Sequence, residues 1–409
     1  MENSMSKLLE QINSTKTAKR LGDLVLINQS SITIKFPYKE IEYIDTASVT
    51  RNHFDTPQIL NTNEAPSRAK RLLKDGDTIL STVRPSLCHY GFIKNPKPNT
   101  VASTGFVVLT PKNIDPFYLY SYLTQDSITD TLSSIAEATT TTFPAFRPEL
   151  LSEMEIEIPD LPTQKKIAEI LSVYDAKIEN NNKIIKNLEA TAQTIFNEWF
   201  INFRFPGHEK ARMVKSEMGV IPEGWSVGKI NDFGNVVCGK TPSKSETDYF
   251  NGEFSFIKIP DMHGQMFILH TEDSLTQKGV NTQKNKIVPE DSICVSCIAT
   301  VGLVSITTKY SQTNQQINTV VPKDKNFTEY LYFGLINMKS DLMAIGSGGS
   351  TTLNVNTSVF SDLQVLIPNN DILRMFHLIV NPFFNQTKQL LKENLSLKQS
   401  RDQLLAKLI

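Results

Sequence analysis

PTQKKIAEILSVYDAKIENNNKIIKNLEATAQTIFNEWF, residues 162–200, governs how the rest of the chain is read. Pro162 and Thr163 are residues that open helices. Beyond them Tyr174, Ile178, Ile185, Leu188, Ala192, Ile195 and Trp199 follow a 4-3 spacing, and only Asn181 interrupts the apolar seam. Spacing nearer 3.5 than 3.6 residues marks a heptad stripe, whereas a helix lying on its own domain keeps the 3.6 period. About 36 helical residues make a rod of roughly 50 Å. A single stripe on such a rod needs a partner. Asn180, Asn181 and Asn182 are poor helix formers, but a buried asparagine in a seam fixes register and orientation.

The partner stripe lies at the C-terminal end, through Phe383, Leu390, Leu397, Leu404 and Leu408, interrupted by Thr387, Asn394 and Arg401. Pro382 near its start predicts a kink or a later helix start. The two segments belong to a duplication. RLGDLVL matches KINDFGN, aligning Asp23 with Asp232 (232 − 23 = 209), and MEIEIP and LQVLIP end at Pro159 and Pro368 (368 − 159 = 209). Between these anchors the offset wanders, pairing Asp77 with Asp291 (214), Tyr118 with Tyr330 (212) and Thr142 with Thr352 (210), as loop insertions require.

Each copy begins with short β-type runs punctuated by Gly, Pro, Asn and Asp: TILSTV, TGFVVLT and EIEIP in one, FSFIKI, SICVSC, LVSITT and NTVVP in the other. Each ends in a long helix. The expected fold class is α+β with an internal two-fold repeat.

A chain of 409 residues holds two or three domains. Lys plus Arg total 42 against 43 for Asp plus Glu, a formal charge of −1. A protein that coats nucleic acid by charge alone is strongly basic, so any DNA binding here needs local basic groups or a partner's. No run approaches a membrane span, the N-terminus has no apolar signal core, and four cysteines do not make a disulfide framework. A soluble cytoplasmic protein is expected.

Three motifs look like chemistry. GNVVCGKT, residues 234–241, fits the phosphate-loop pattern G-x-x-x-x-G-K-[ST] at every position. A true phosphate loop follows a buried strand and opens a helix. Here PSKSETDYFNGEF follows, without apolar periodicity, and at an offset of 209 the repeat places Val25 and Ser30 at the two glycines. A turn lining a binding surface is the reading; an ATP-dependent nucleic-acid enzyme is the alternative, which ATP hydrolysis would reveal. NPFF (381–384) lacks the second proline of the amino-methyltransferase signature and lies in the helical segment. CVSC (294–297) is a lone C-x-x-C whose repeat positions, Leu80 and Val83, are apolar, so packing in a strand is expected. No metal site, cofactor or catalytic constellation is expected.

What remains is polar, basic and amide-rich loops at matching places. The first copy offers Arg51 and Asn52 (TRNH), Arg68, Lys70 and Arg71 (PSRAKR), Arg84 (VRPS), and Thr140, Thr141 and Thr142 (ATTTTF). The second offers Lys240, Thr241, Ser243 and Lys244 (GKTPSKS), Met262 (PDMHG), Asn314, Gln315 and Gln316 (TNQQ), and Ser350, Thr351 and Thr352 (GSGGSTT). Arg and Lys suit guanine edges and phosphates, Asn and Gln suit adenine, and Ser and Thr reach phosphates or either base type. Recurrence in two copies argues for a shared DNA-binding face.

From about residue 20 to its end the chain resembles the specificity (S) subunits of type I restriction–modification systems. PSRAKRLLKDGDTILSTVRPSL, TVASTGFVVLTP, DLPTQKKIAEIL, NFRFPGHEKARMVKSEMGVIPEGW, CGKTPSKSETDYFNGEF, IATVGLVSI, TNQQIN and GSTTLNV carry the resemblance. No single piece decides it; their order, twice over, does. The resemblance implies target-recognition domains at 20–160 and 221–368, each reading half of a split double-stranded DNA target. It implies that helices 161–200 and 369–409, joined to the second domain's start by a linker at 201–220, form an antiparallel coiled coil. Ile178, Ile185, Leu188, Ile195, Leu390, Leu397 and Leu404 would then be seam residues. It further implies a non-catalytic subunit that docks two methyltransferase subunits, which use S-adenosylmethionine, with restriction subunits joining them. Residues 1–19 depart from the pattern, lacking the IPEGW lead-in of the second domain.

Overall fold

The computed structural model describes residues 9, 10, 12, 14–139, 144–347 and 353–409. The chain divides into one unit of residues up to Glu179 together with Ser396–Ile409, and a second of Asn180–Leu395. Both divisions fall inside long helices, Leu161–Phe196 and Asn370–Leu408.

In the first unit, strand Thr17–Arg20 pairs antiparallel with Glu155–Ile158, Thr17 opposite Ile158. In the second, Ser226–Lys229 pairs with Gln364–Ile367, Ser226 opposite Ile367. The offsets 226 − 17 and 367 − 158 are both 209. The sequence repeat is therefore a structural repeat, each copy pinned by a strand pair that ties its start to its end.

The first unit holds two four-stranded sheets. One runs Val25–Ile27, Phe106–Pro111, Thr78–Ser81, Tyr90–Phe92; the other runs Gln58–Asn61, Glu40–Ile44, Thr100–Ser103, Ala69–Leu72. The second unit holds a five-stranded sheet, Gly234–Cys238, Ile317–Pro322, Ile293–Ser296, Val304–Thr307, Phe267–Ile268, and a three-stranded one, Asp273–Leu275, Phe250–Ile257, Ser311–Thr313. The central strands FVVLTP and INTVVP begin with four buried residues in a row. That is how a strand covered on both faces reads. Next to the first, Asp115 caps the helix Pro116–Leu123 by accepting from Phe117 N and Tyr118 N, both at 3.0 Å.

The ladders correct one offset. Gly76 and Asp291 both adopt positive φ (82° and 64°), and their N–H groups donate to Ile93 and Thr307 respectively. The two turns therefore superpose at 291 − 76 = 215, not 214. Asp77 corresponds to Ser292, and the counterparts of Cys294 and Cys297 are Ile79 and Thr82. A one-residue error is invisible when aspartates sit on both sides of the turn.

The helices also refine the stripes. Ile178 and Ile185 are buried, and Leu188 and Ile195 half-buried, as read from the spacing. On the second helix the deepest line is Leu373, Phe376, Val380, Phe384, Thr387, Asn394 and Leu408, while Leu390, Leu397 and Leu404 are half-buried flanks. The expected interruptions Thr387 and Asn394 are thus the seam itself.

Within the second unit, Asn181 meets Asn394, and Phe196 meets Phe376 with ring centroids 6.1 Å apart. Numbers rise on one helix as they fall on the other, so the helices run antiparallel there. Within the first unit, Arg401 Nη1 donates to Asp175 at 2.6 Å. Leu404, Leu405 and Leu408 join the core that holds Ile167, Ala168 and Leu171. Pro382 lies inside the second helix, which starts at Asn370, upstream of the proline, so no later start occurs. NPFF is helix interior: Asn381 donates to Glu329 at 2.8 Å, and Phe384 is buried against Phe267, Tyr332 and Phe333.

Candidate nucleic-acid interface

The phosphate-loop letters are a strand. Gly234–Cys238 pairs with Ile317–Pro322, and the next helical residues are a single 3-10 turn at Thr247–Tyr249. A Cβ on Gly234 would stand 2.3 Å from Val321 O, and one on Gly239 would stand 2.2 Å from Asn314 O. The glycines allow backbones to approach, which replaces the phosphate-binding alternative with a packing cause. The cysteines are likewise structural. Cys294 and Cys297 are buried, and burial pushes their thiols up to about 12 and about 11. No group of three metal-ligating side chains occurs among the described residues.

Beyond strands Thr78–Ser81 and Ile293–Ser296 both copies build the same loop frame. In the first, Thr82 N donates to Gly105 O, Arg84 N to Pro144 O and Phe146 N to Thr82 O, at 2.8–3.0 Å. In the second, Cys297 N donates to Gln316 O, Ala299 N to Leu353 O and Val355 N to Cys297 O, at 2.8–3.0 Å. Val83 bridges Ala145 as Ile298 bridges Asn354. Arg84 and Ala299 even share a left-handed φ, 48° and 63°. The backbone frame is duplicated and the side chain it presents is not. Thr140, Thr141, Thr142, Ser350, Thr351 and Thr352 lie outside the described residues.

In the second unit Lys240, Thr241 and Gln315 come together. Lys240 N donates to Thr313 O at 2.9 Å, Gln283 Nε2 donates to Lys240 O at 2.8 Å, and Thr241 Oγ1 donates to Gln315 Oε1 at 2.8 Å. Asn314 is buried and works on the loop itself: its Nδ2 donates to Gln316 Oε1 at 2.9 Å and its Oδ1 accepts from Gln316 N at 3.1 Å. That leaves Gln315 exposed, with Lys240, Ser243 and Lys244 also exposed. Met262 is corrected. It is only 1% exposed, in a small core with Ile257, Ile259, Ile268, Cys294 and Ile317. A long flexible apolar side chain beside proline reads as loop in a sequence but fills a gap in a core.

In the first unit Arg68 donates from Nε to Tyr43 Oη at 3.0 Å, and Thr104 N donates to Arg68 O at 2.8 Å. Lys70 is exposed on strand Ala69–Leu72, and Arg71 bridges Ser31. Arg71 Nε is buried with no hydrogen-bond partner among the described residues. Arg51 and Asn52 instead form the tight turn between Val49–Thr50 and His53–Phe54, both at positive φ. Asn52 Oδ1 accepts from Phe92 N at 2.8 Å, and Arg51 lies 3.9 Å from Asp126. Asn52 thus holds a hairpin, whereas the 68–71 side chains belong to a sheet edge. Sequence reasoning missed Ser31 and Thr104, exposed counterparts of Lys240 (240 − 31 = 209) and Gln315 (315 − 104 = 211). Only strand pairing brings these positions beside Arg68 and Arg71.

The model of the type I restriction modification DNA specificity domain matches residues 13–190 and again residues 222–395, starts that differ by 222 − 13 = 209. The chain belongs to the type I restriction–modification specificity family. The specificity subunit of the type I restriction enzyme HindI from Haemophilus influenzae is 35% identical over 91% of this chain and 94% of its own. That of MjaIX from Methanocaldococcus jannaschii is 27% identical over 81% of this chain and 76% of its own. The crystal structure of a type I S subunit from M. genitalium covers 96% of both chains with a TM-score of 0.56 at 15% identity, a likeness of fold. For a specificity-family chain, a duplicated frame with unlike loops is the informative geometry. No described helix is long and apolar enough to cross a membrane.

Proposed function

We propose that this chain is the DNA sequence-recognition subunit of a type I restriction–modification complex, reading a bipartite target with one half-site per recognition unit. The supporting observation is the repeated frame at Arg84 and Ala299 with different side chains on it. Identical backbones present a common surface to duplex DNA, and unlike side chains read unlike bases. Arg68, Lys70, Arg71, Arg84, Thr104 and Ser31 form the first reading set; Lys240, Thr241, Ser243, Lys244, Gln315 and Gln316 the second.

Two weak readers outperform one. Each mismatch costs about 1–3 kcal/mol, roughly additively for separate positions. The long helices form an antiparallel coiled coil that joins the readers. Catalysis belongs to the partners: two methyltransferase subunits carry S-adenosylmethionine, restriction subunits join that core, and the assembly works in the cytoplasm. A near-neutral charge suits a subunit that shares the duplex with partners.

Replacing residues 20–160 with the matching domain of the Haemophilus relative, followed by mapping of methylated DNA, tests the reading. One half of the methylated sequence changes and the other stays. A change in both halves would overturn independent reading, and no sequence-specific shift in a gel with methyltransferase present would overturn the DNA role.

A further inference from the structure

Lys388 on the second long helix is only 16% exposed in its side chain. Its ammonium contacts Glu290 directly, stands 3.8 Å from Asp291, and lies 5.9 Å from the centroid of the Phe267 ring. Glu290 and Asp291 form the turn that leads into strand Ile293–Ser296, at the heart of the second recognition sheet. Asp291 keeps φ at 64°, a conformation where the first copy uses Gly76. An aspartate there accepts backbone strain that glycine avoids. The carboxylate facing Lys388 gives that strain a purpose.

The repeat makes the contact informative. The position 209 residues earlier on the first long helix is Glu179 (388 − 179 = 209), and it faces Lys94 at 3.9 Å. Lys94 follows Ile93, the residue whose carbonyl accepts from Gly76 N in the equivalent turn. The same helix position therefore reaches the same region of its own recognition unit in both copies, with the signs reversed. Carried onto the first helix, the second unit's turn would present Glu290 and Asp291 to Glu179, an all-acidic contact. The carboxylates Glu179 and Glu290 are similarly exposed, at 52% and 50%, and the struts differ in the lysine: Lys94 is 44% exposed and screened by solvent, Lys388 only 16%.

Resting on the function proposed above, we propose that Lys388 is a positioning residue that sets the second recognition unit on its helix and so fixes the register of the second half-site. The aromatic cluster around Phe384 supplies adhesion but little direction; a charge held between two carboxylates supplies the direction.

The full chain with Cys238→Ser, and nitroxide labels at Tyr310→Cys and Leu395→Cys, both exposed and both in this unit, reports the setting directly. The expected result is one narrow inter-label distance, broadened or displaced in Lys388→Glu and narrow again in Lys388→Glu/Glu290→Lys/Asp291→Gly. With the methyltransferase partner, Lys388→Glu should methylate targets whose half-sites are one base pair closer or farther about as well as the parent target, while both half-site sequences stay unchanged. Glu179→Lys should change this spacing preference several-fold less. An unchanged distance distribution in Lys388→Glu, or a spacing preference identical to the parent, overturns the proposal. Loss of a half-site sequence with the distances unchanged would instead count against the recognition assignment itself.

Discussion

Asn181 and Asn394 face each other across the paired helices of the second unit, Nδ2 to Oδ1 at 2.9 Å, at 0% and 5% exposure. Asn181 Nδ2 also donates to Glu393 Oε2 at 2.9 Å, and Asn394 Nδ2 to Asn182 Oδ1 at 2.9 Å. Four polar side chains thus form one knot in the seam. Asn181→Leu alone leaves Asn394 half-satisfied and should lower stability by about 1–3 kcal/mol. Asn181→Leu/Asn394→Leu should be nearly neutral or stabilising, because well-packed apolar groups replace buried polar ones without penalty. Denaturant midpoints of the three proteins check the order, and a double variant weaker than the single would contradict it.

Depth in the seam ranks charge insertions. Ile185 is 8% exposed whereas Leu188 and Leu397 are half-buried. Ile185→Asp should cost about 3 kcal/mol or more and abolish sequence-specific methylation. Leu188→Asp or Leu397→Asp should each cost about 1 kcal/mol, with methylation lost only when they are combined. Equal midpoints for Ile185→Asp and Leu397→Asp would tell against the seam described here.

GNVVCGKT makes opposite predictions as a strand and as a phosphate loop. Lys240→Ala should leave ATP binding by the purified chain at background, measured by calorimetry beside the parent. If Lys240 meets one phosphate, the slope of log affinity for DNA against log salt should fall by about 0.9. Gly234→Ala should lower stability by about 1–3 kcal/mol, read from denaturant unfolding, since its Cβ would collide with a backbone carbonyl. ATP turnover that disappears with Lys240 would reverse this account.

Thiol chemistry reports burial. Cys238 is partly exposed, while Cys88, Cys294 and Cys297 are buried. Native protein should react at Cys238 alone with an alkylating reagent, and at all four after denaturation, read by peptide mass. The raised thiols of Cys294 and Cys297, at about 12 and about 11, keep the reactive thiolate scarce at pH 8, so raising the pH to 9 should not bring them in while the fold holds. Rapid native modification at Cys294 would show that strand Ile293–Ser296 opens.

The duplication and the two long helices were determined by the sequence. Repeat offsets and heptads are periodic, and periodicity survives in a string of letters. Asp23 with Asp232, and Pro159 with Pro368, anchor the copies at 209. Side-chain duties were decided only by tertiary structure. Met262 and Gln315 both read as loop residues; one is core and the other is exposed. Thr387 and Asn394 looked like breaks in a stripe until the helix facing them showed that they form its centre. Glu179 and Lys388 are unlike letters at one repeat position, and only the surfaces opposite them make the reversal of charge a single device. Burial and pairing are relations between residues far apart in the chain, and no local pattern encodes which distant atoms will arrive.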